Sequence, residues 1–281
     1  MKTMAKICLD AGHYGKYNRS PIVPEYYESE RMWKLTELLA AALKKRGVTV
    51  VKTRTNQASD LALVSRGRKA QGCDLFLSMH SNASSTATPD FPVAIVFRDD
   101  TKTNLDERSE DIGLKLAKVC ADVMGTKQEG RIMTRANSGD RDGNGYRDDE
   151  YYGVLHGAKL VKVPGVIMEH SFHTNKRAAQ WLLSDSNLSK LAEAEADVLA
   201  AWLKGTAQKP TEPAVKPTAS NTNYRVRVTI KDLNIRTEPS ASSKSKGHIP
   251  PGVYTIVQES NGWGKLKSGA GWIKLSYTTK L

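Results

Sequence analysis

Three short stretches hold residues able to bind a metal ion and move a proton. "LDAGHYG" (9–15) sets His13 among glycines, the composition of a tight loop that brings backbone close to something. "FLSMHSNA" (76–83) sets His80 among small polar residues, and "VIMEHSFHTN" (166–175) carries Glu169, His170 and His173. A carboxylate directly after the apolar "GVIM" is costly unless it is paired or does chemistry. Two histidines and a carboxylate form the N/O donor set of a catalytic zinc, which leaves its fourth position to water. A second carboxylate beside that water is what amide hydrolysis needs as a general base. The plainer alternatives are a structural ion pair for Glu169 and satisfied core histidines at 13 and 80. The carboxylate ligand has to come from "PEYYESERMWK" (24–34), where Glu25, Glu28 and Glu30 stand. Spacing leaves that choice open. Glu30 also suits a helix start, where the dipole favours negative charge, and Glu25 a loop.

Elements of the right kind surround these residues. "AKICLDAGH", "VTVVKTR", "CDLFLSMH", "VAIVFR" and "PGVIMEH" read as buried strands. Trp33, Leu35, Leu38, Leu39, Ala42 and Leu43 share one face of a helix that begins near Arg31 and closes at Gly47. A short polar helix is predicted over 60–71, a longer one over "ERSEDIGLKLAKVCADVM", and a last one over "KLAEAEADVLAAWLKG", ended by Gly205. Strands alternating with helices predict an α/β domain whose mostly parallel sheet is flanked by helices. In such sheets functional groups gather at the carboxyl ends of strands, so His13, His80 and Glu169 can converge although far apart in order.

Residues 205–223 form a Pro/Thr-rich stretch that cannot bury a face and reads as a semi-stiff linker between a 1–204 domain and a 224–281 domain. The latter is a series of short alternating runs separated by Gly, Pro and Asn, which predicts a small all-β unit. It carries ten Lys/Arg against three Asp/Glu, and so seven of the chain's net +12 charges. A polyanionic partner suits that imbalance, but no nucleic-acid recognition motif accompanies it. Trp263, Trp272 and Tyr254 are candidates either for a groove or for the small domain's core. Cys8, Cys73 and Cys120 are widely spaced without a CxxC pair, and read as buried reduced thiols. No apolar run approaches a membrane span, and the N-terminal residues lack the pattern of a signal peptide.

"LDAGHYG", a Glu before an amphipathic helix ending in "KRG", "LFLSMHSNA" and "VPGVIMEHSFHTN" together resemble the zinc-dependent N-acetylmuramoyl-L-alanine amidases of the type 3 family, over nearly all of residues 5–204. The resemblance implies one zinc ion held by His13, Glu28 and His80, with Glu169 as catalytic carboxylate. Peptidoglycan would be the substrate, cut between N-acetylmuramic acid and L-alanine. The chain departs from the family in reading "GHYG" where GHGG is common, which puts Tyr14 at the rim. It also carries His170 and His173 where Gly, Leu or Ser is usual, and His156 where arginine is frequent. These three are candidate substrate-side groups, His170 and His173 equally candidates for a supporting role. Residues 224–281 resemble a bacterial SH3 domain, through "LNIRTEPS", the "GWGK" step and the closing "GWI". That implies an SH3-like barrel binding the wall through peptide cross-bridges or, given its charge, wall teichoic acid.

With no signal peptide and a wall-binding tail, the pattern resembles an endolysin, made in a host cytoplasm and reaching the wall after holin-type release, or secreted by an unseen route. A bacterial autolysin, another zinc peptidase of the stem peptide, and a catalytically dead wall-binding protein are the alternatives. "DRDGNGYRDDE" (140–150) matches part of a calcium loop, yet Tyr151 stands where a bidentate Glu belongs, so an acidic surface insertion is the expectation there.

Overall fold

The computed structural model describes residues 5–97, 104–135, 150–207, 220–239, 243–260 and 262–281. The chain forms two compact units, Met1–Pro210 and Thr211–Leu281.

The first unit is a six-stranded sheet in the order β2-β1-β3-β6-β4-β5. Its strands are β1 (Lys6–Ala11), β2 (Thr49–Lys52), β3 (Leu75–Asn82), β4 (Val93–Val96), β5 (Arg131–Met133) and β6 (Gly165–Phe172). All pairings are parallel except β4 with β6, which is antiparallel. Alternation along the strands divides the core in two. Ile7, Leu9, Leu75, Leu77, Met79, Val166 and Met168 pack toward α1 (Glu28–Lys45), α3 (Asn104–Met124) and α6 (Asp185–Ala207). Cys8, Phe76, Ile95 and Ile167 pack on the other face with Leu155 of α4 (Gly153–Leu160), which lies against α2 (Leu63–Arg68). The fold is thus mixed α/β, with a sheet between helical layers.

Several boundaries differ from the sequence expectation. α1 begins at Glu28 because the loop before it supplies acceptors: Glu28 N–H donates to Asn18 O at 3.0 Å and Ser29 N–H to Tyr17 O at 3.4 Å. β5, α4 and α5 (Lys176–Leu183) are too short to show a period of their own. α6 runs through Gly205 to Ala207, since Gly205 keeps an ordinary helical φ there and no αL cap forms. All three cysteines are buried and free. Among the described residues no helix is long and apolar enough to cross a membrane.

The second unit is a seven-stranded, all-antiparallel sheet in the order β13-β7-β10-β11-β12-β8-β9, with β8 at Leu233–Arg236, β9 at Ser245–Ile249 and β13 at Thr278–Lys280. β7 (Ser220–Val228) starts inside the expected linker, where it pairs with β10 (Gly252–Ser260). Ile256, Leu266 and Ile273 fill the core with Val226 and Val228. On β11 (Trp263–Leu266) and β12 (Trp272–Lys274), Trp263 faces Lys274 and Lys265 faces Trp272. Both indoles are buried, each with a lysine ammonium 5.8 Å from its ring. They therefore do not line an open groove, because the lysine stems cover them.

An ion pair between the buried Asp90 and the half-buried Arg177 ties down the segment that follows β6. Asp90 is fully buried and accepts from Arg177 Nε at 2.6 Å, Arg177 Nη2 at 2.7 Å and Ser171 Oγ at 3.0 Å. Burial works against the charge of Asp90, but the Arg177 guanidinium and Ser171 hydroxyl hold its carboxyl below the ordinary range. A lowered carboxyl contributes stability that is complete above the unfolded value near 4 and is lost as pH falls below it toward the folded one. Thermal unfolding between pH 7 and pH 3 will therefore show an acid loss of stability that is smaller in Asp90→Asn, whose stability is already reduced at pH 7.

Candidate metal centre

The site stands at the carboxyl edge of the sheet, on the α2/α4 face. His80 and Glu169 are register partners on neighbouring parallel strands, so their side chains leave the same face side by side. His13 follows the end of β1 by two residues, at φ 57°, a left-handed conformation that turns its ring toward β3. Gly12 makes this approach possible, because a Cβ there would lie 2.5–2.7 Å from the His80 imidazole.

Glu28 is brought in by α1. It is the first helical residue, only 1% exposed, and the helix dipole favours its charge. His80 Nδ1–H donates to its Oε1 at 2.8 Å, and His13 Nε2 lies 3.3 Å from the same oxygen. Ser81 N–H also donates to Oε1, at 3.1 Å, and Asn18 Nδ2 to Oε2, at 2.8 Å. Asn18 is 3.0 Å from His13 Nε2 as well, so it ties ligand loop to helix. Burial alone would raise the Glu28 carboxyl, but hydrogen bonds from His13 and His80 hold it well below the ordinary range. Of the other acids in that stretch, Glu25 is exposed, and Glu30 faces Lys16 at 3.8 Å.

Glu169 sits beside this trio with its Oε2 sealed from solvent and, among the described residues, without a hydrogen-bond partner. Burial, and then the charge of Glu28, push its carboxyl well above the ordinary range. Neither carboxylate has a Lys or Arg ion-pair partner among the described residues. Two carboxylates this close require a positive charge between them or a proton on one. The donors of His13, Glu28 and His80 lie within 4.8 Å of one another, and two imidazoles with a carboxylate suit a transition metal such as zinc. The chemistry of this set fits a bound divalent ion.

The remaining sequence candidates divide. His170 neighbours Glu169 on β6 and so points to the opposite face. There it is fully buried, its Nδ1–H donating to His80 O at 2.8 Å and its Nε2–H to Glu195 Oε1 of α6 at 2.9 Å. Burial opposes protonation of this ring, but the Glu195 carboxylate reverses that and raises its pKa. His170 therefore does not face the substrate side: it fastens the backbone of His80 to α6. Cys120 joins His170 and Glu195 in a second cluster of potential ligands, wholly buried, but both nitrogens of His170 are already engaged. His173 is stacked on Tyr26 beneath Glu28, donates from Nδ1 to Ser81 O at 2.9 Å and is held neutral by burial. Tyr26 O–H in turn donates to Ser81 Oγ at 2.7 Å. His156 lies on α4, half-buried, and is not among the residues lining the cleft. Residues 140–149 of the calcium-like stretch lie outside the described residues. Sequence reasoning missed Asn18 and Glu195, which have no motif around them, and Ser81, which stands inside "FLSMHSNA" but acts through its backbone N–H.

The donors and Glu169 open into a cleft of about 550 Å³, walled by Tyr14 and Tyr17 on the His13 loop and by Tyr152–Val154 at the start of α4. An α/β domain with a potential metal site at its sheet edge is the class these features define. The sequence profile of the N-acetylmuramoyl-L-alanine amidases matches residues 7–201, more than two thirds of the chain, and the chain belongs to that family. No curated protein sequence matches it. Among solved structures it is similar to the N-acetylmuramoyl-L-alanine amidase from Clostridium difficile 630, with TM-score 0.57 and 19% identity over 72% of this chain and 97% of that one. The catalytic domain of CwlV, an N-acetylmuramoyl-L-alanine amidase from Bacillus (Paenibacillus) polymyxa var. colistinus, gives 0.56 and 18% over 72% and 99%. Cwp6 from Clostridium difficile gives 0.60 and 18% over 71% of this chain and 29% of its own. At these identities the likeness shows the fold.

Two substitutions test how the centre is held. Gly12→Ala displaces the His80 ring, and His170→Ala releases the His80 backbone from α6. Each is expected to weaken zinc binding, measured by chelator competition, by about 10- to 100-fold. Retention of full affinity in both would show that the centre does not depend on these supports.

Proposed function

We propose that the chain is a zinc-dependent amidase of peptidoglycan, cleaving the amide between the lactyl group of N-acetylmuramic acid and the L-alanine of the stem peptide. The observation that carries this reading is Glu169, one strand away from a three-donor metal set and in the same cleft, with a buried Oε2 that has no hydrogen-bond partner among the described residues. His13, Glu28 and His80 would hold the zinc, which when bound polarises the scissile carbonyl and lowers the pKa of water toward ~7. With a cation held there, Glu169 would be ionised and able to accept a proton. Glu169 then accepts a proton from the attacking water as its oxygen bonds to the carbonyl carbon. It returns that proton to the nitrogen as the C–N bond breaks, leaving a lactyl carboxylate and a free L-alanine amine. Asn18 and Ser81 fix the Glu28 carboxylate, so that the donors are set before substrate arrives.

The C-terminal unit is read as an SH3-like wall-binding module. Its antiparallel sheet and basic charge support this, and wall teichoic acid or a peptide cross-bridge is its ligand in this reading. Joined to the catalytic unit, it would raise the local enzyme concentration at the wall. An endolysin released through a holin-type opening is the role that joins both units.

The test is digestion of Gram-positive sacculi with wild type and Glu169→Gln, with and without chelator, followed by mass spectrometry of the new ends. Free L-alanine amino ends are expected, abolished by chelator, restored by zinc, and reduced about 100-fold or more in the variant. Release of free amino acids instead would identify a peptidase of the stem. Binding without cleavage under any metal would leave only a wall-binding protein.

A further inference from the structure

The rim of the cleft carries an aromatic feature that the hydrolytic step does not use. The His13 and Tyr17 rings are stacked, with centroids 5.0 Å apart and planes 18° apart, and Tyr14 continues the stack at 6.3 Å and 21° from Tyr17. Tyr17 thus lies against the ring of His13, and Tyr14 against that of Tyr17. Tyr17 is 51% exposed and Tyr14 41%, while both line the cleft. Large aromatic rings left about half exposed beside a site mark a surface that a ligand covers.

The backbone under this stack is held before any ligand arrives. Gly15 O accepts from Ser29 Oγ at 2.7 Å and from Gln57 Nε2 at 2.9 Å, and Gly15 N–H donates to Gln57 O at 3.0 Å. Tyr17 N–H donates to Ser29 Oγ at 2.8 Å. A platform fixed in this way loses little conformational entropy on binding.

We propose that Tyr14 and Tyr17 form a saccharide-stacking subsite that receives the sugar ring carrying the scissile lactyl group. This rests on the amidase reading above. A pyranose presents an apolar face of C–H groups, which packs against a flat aromatic ring, whereas a peptide backbone demands hydrogen-bond partners that phenol faces lack. Three covalent bonds, about 4 Å, separate the lactyl carbonyl carbon from the sugar ring, so a sugar whose lactyl group reaches the donors lies beside the His13 loop, where the Tyr17 ring centroid is 5.0 Å from that of His13. With the sugar on Tyr14 and Tyr17, the rest of the lining, including Tyr152–Val154, is left to the stem peptide.

Two soluble substrates with the same scissile amide separate the possibilities: a disaccharide-peptide muropeptide, and the D-lactoyl-peptide that lacks the sugar. The readout is the ratio of their kcat/KM values in the full chain, with zinc content measured alongside. Tyr14 is the main variant, because it makes no ring contact with His13. Tyr14→Ala is expected to lower the preference for the saccharide-bearing substrate about tenfold, chiefly through KM, and Tyr14→Phe to restore it. Tyr17→Ala should act in the same sense. An unchanged ratio, or equal loss on both substrates with falling zinc content, overturns the proposal and leaves the tyrosines as supports of His13. Binding of peptide-free glycan strands, followed by NMR of the tyrosine rings, keeps the two readings apart. If wild type cleaves neither substrate, the amidase reading fails, and the shifts alone decide whether the platform stands.

Discussion

The arrangement of the catalytic unit depends on holding two carboxylates near each other at a sheet edge with, among the described residues, no lysine or arginine ion-paired to either. Glu28 is secured by two imidazoles, a backbone N–H and an amide, while Glu169 is left with a sealed, unpartnered oxygen. That asymmetry pushes their ionisation in opposite directions. One group is thereby suited to binding a cation and the other to exchanging a proton, which is how a pair of like groups acquires two roles. The loop of His13, the start of α1 and the register of β3 with β6 all serve this juxtaposition.

Much of this was readable from the chain itself. The alternation of apolar strands with amphipathic helices gave the sheet, and placing His13, His80 and Glu169 at strand ends predicted that they meet. Residue spacing could not choose among Glu25, Glu28 and Glu30, because the choice depends on where α1 starts. That start is set by carbonyls of Tyr17 and Asn18, supplied by a loop with no periodicity. The side of the sheet occupied by His170 was available in principle, since adjacent strand residues face opposite ways. Its partner was not, because Glu195 lies on a helix whose face toward the sheet is otherwise apolar.

Short elements were harder to read than chemistry. β5 has three residues and α4 and α5 eight each, too few to display a period against flanking loops. Gly205 was a plausible stop that the helix passes, since glycine permits an αL cap without requiring one. In the second unit, tryptophans that suited either a groove or the core are buried, each beside a lysine paired with it across two strands. A cross-strand pair of this kind is invisible until register is known.

The antiparallel placement of β4 has an architectural consequence. Because β4 runs away from the catalytic edge beside β6, the chain leaving β3 crosses that edge as a connection, residues 83–92, before it re-enters the sheet. A strand end is fixed by its ladder, whereas this connection is tied at points, through Ser84, Ala87 and Asp90, and can lengthen between them. The wall next to Asn82 and Ala83 is therefore the part of the cleft that divergence could remodel by insertion, leaving every donor and its register in place.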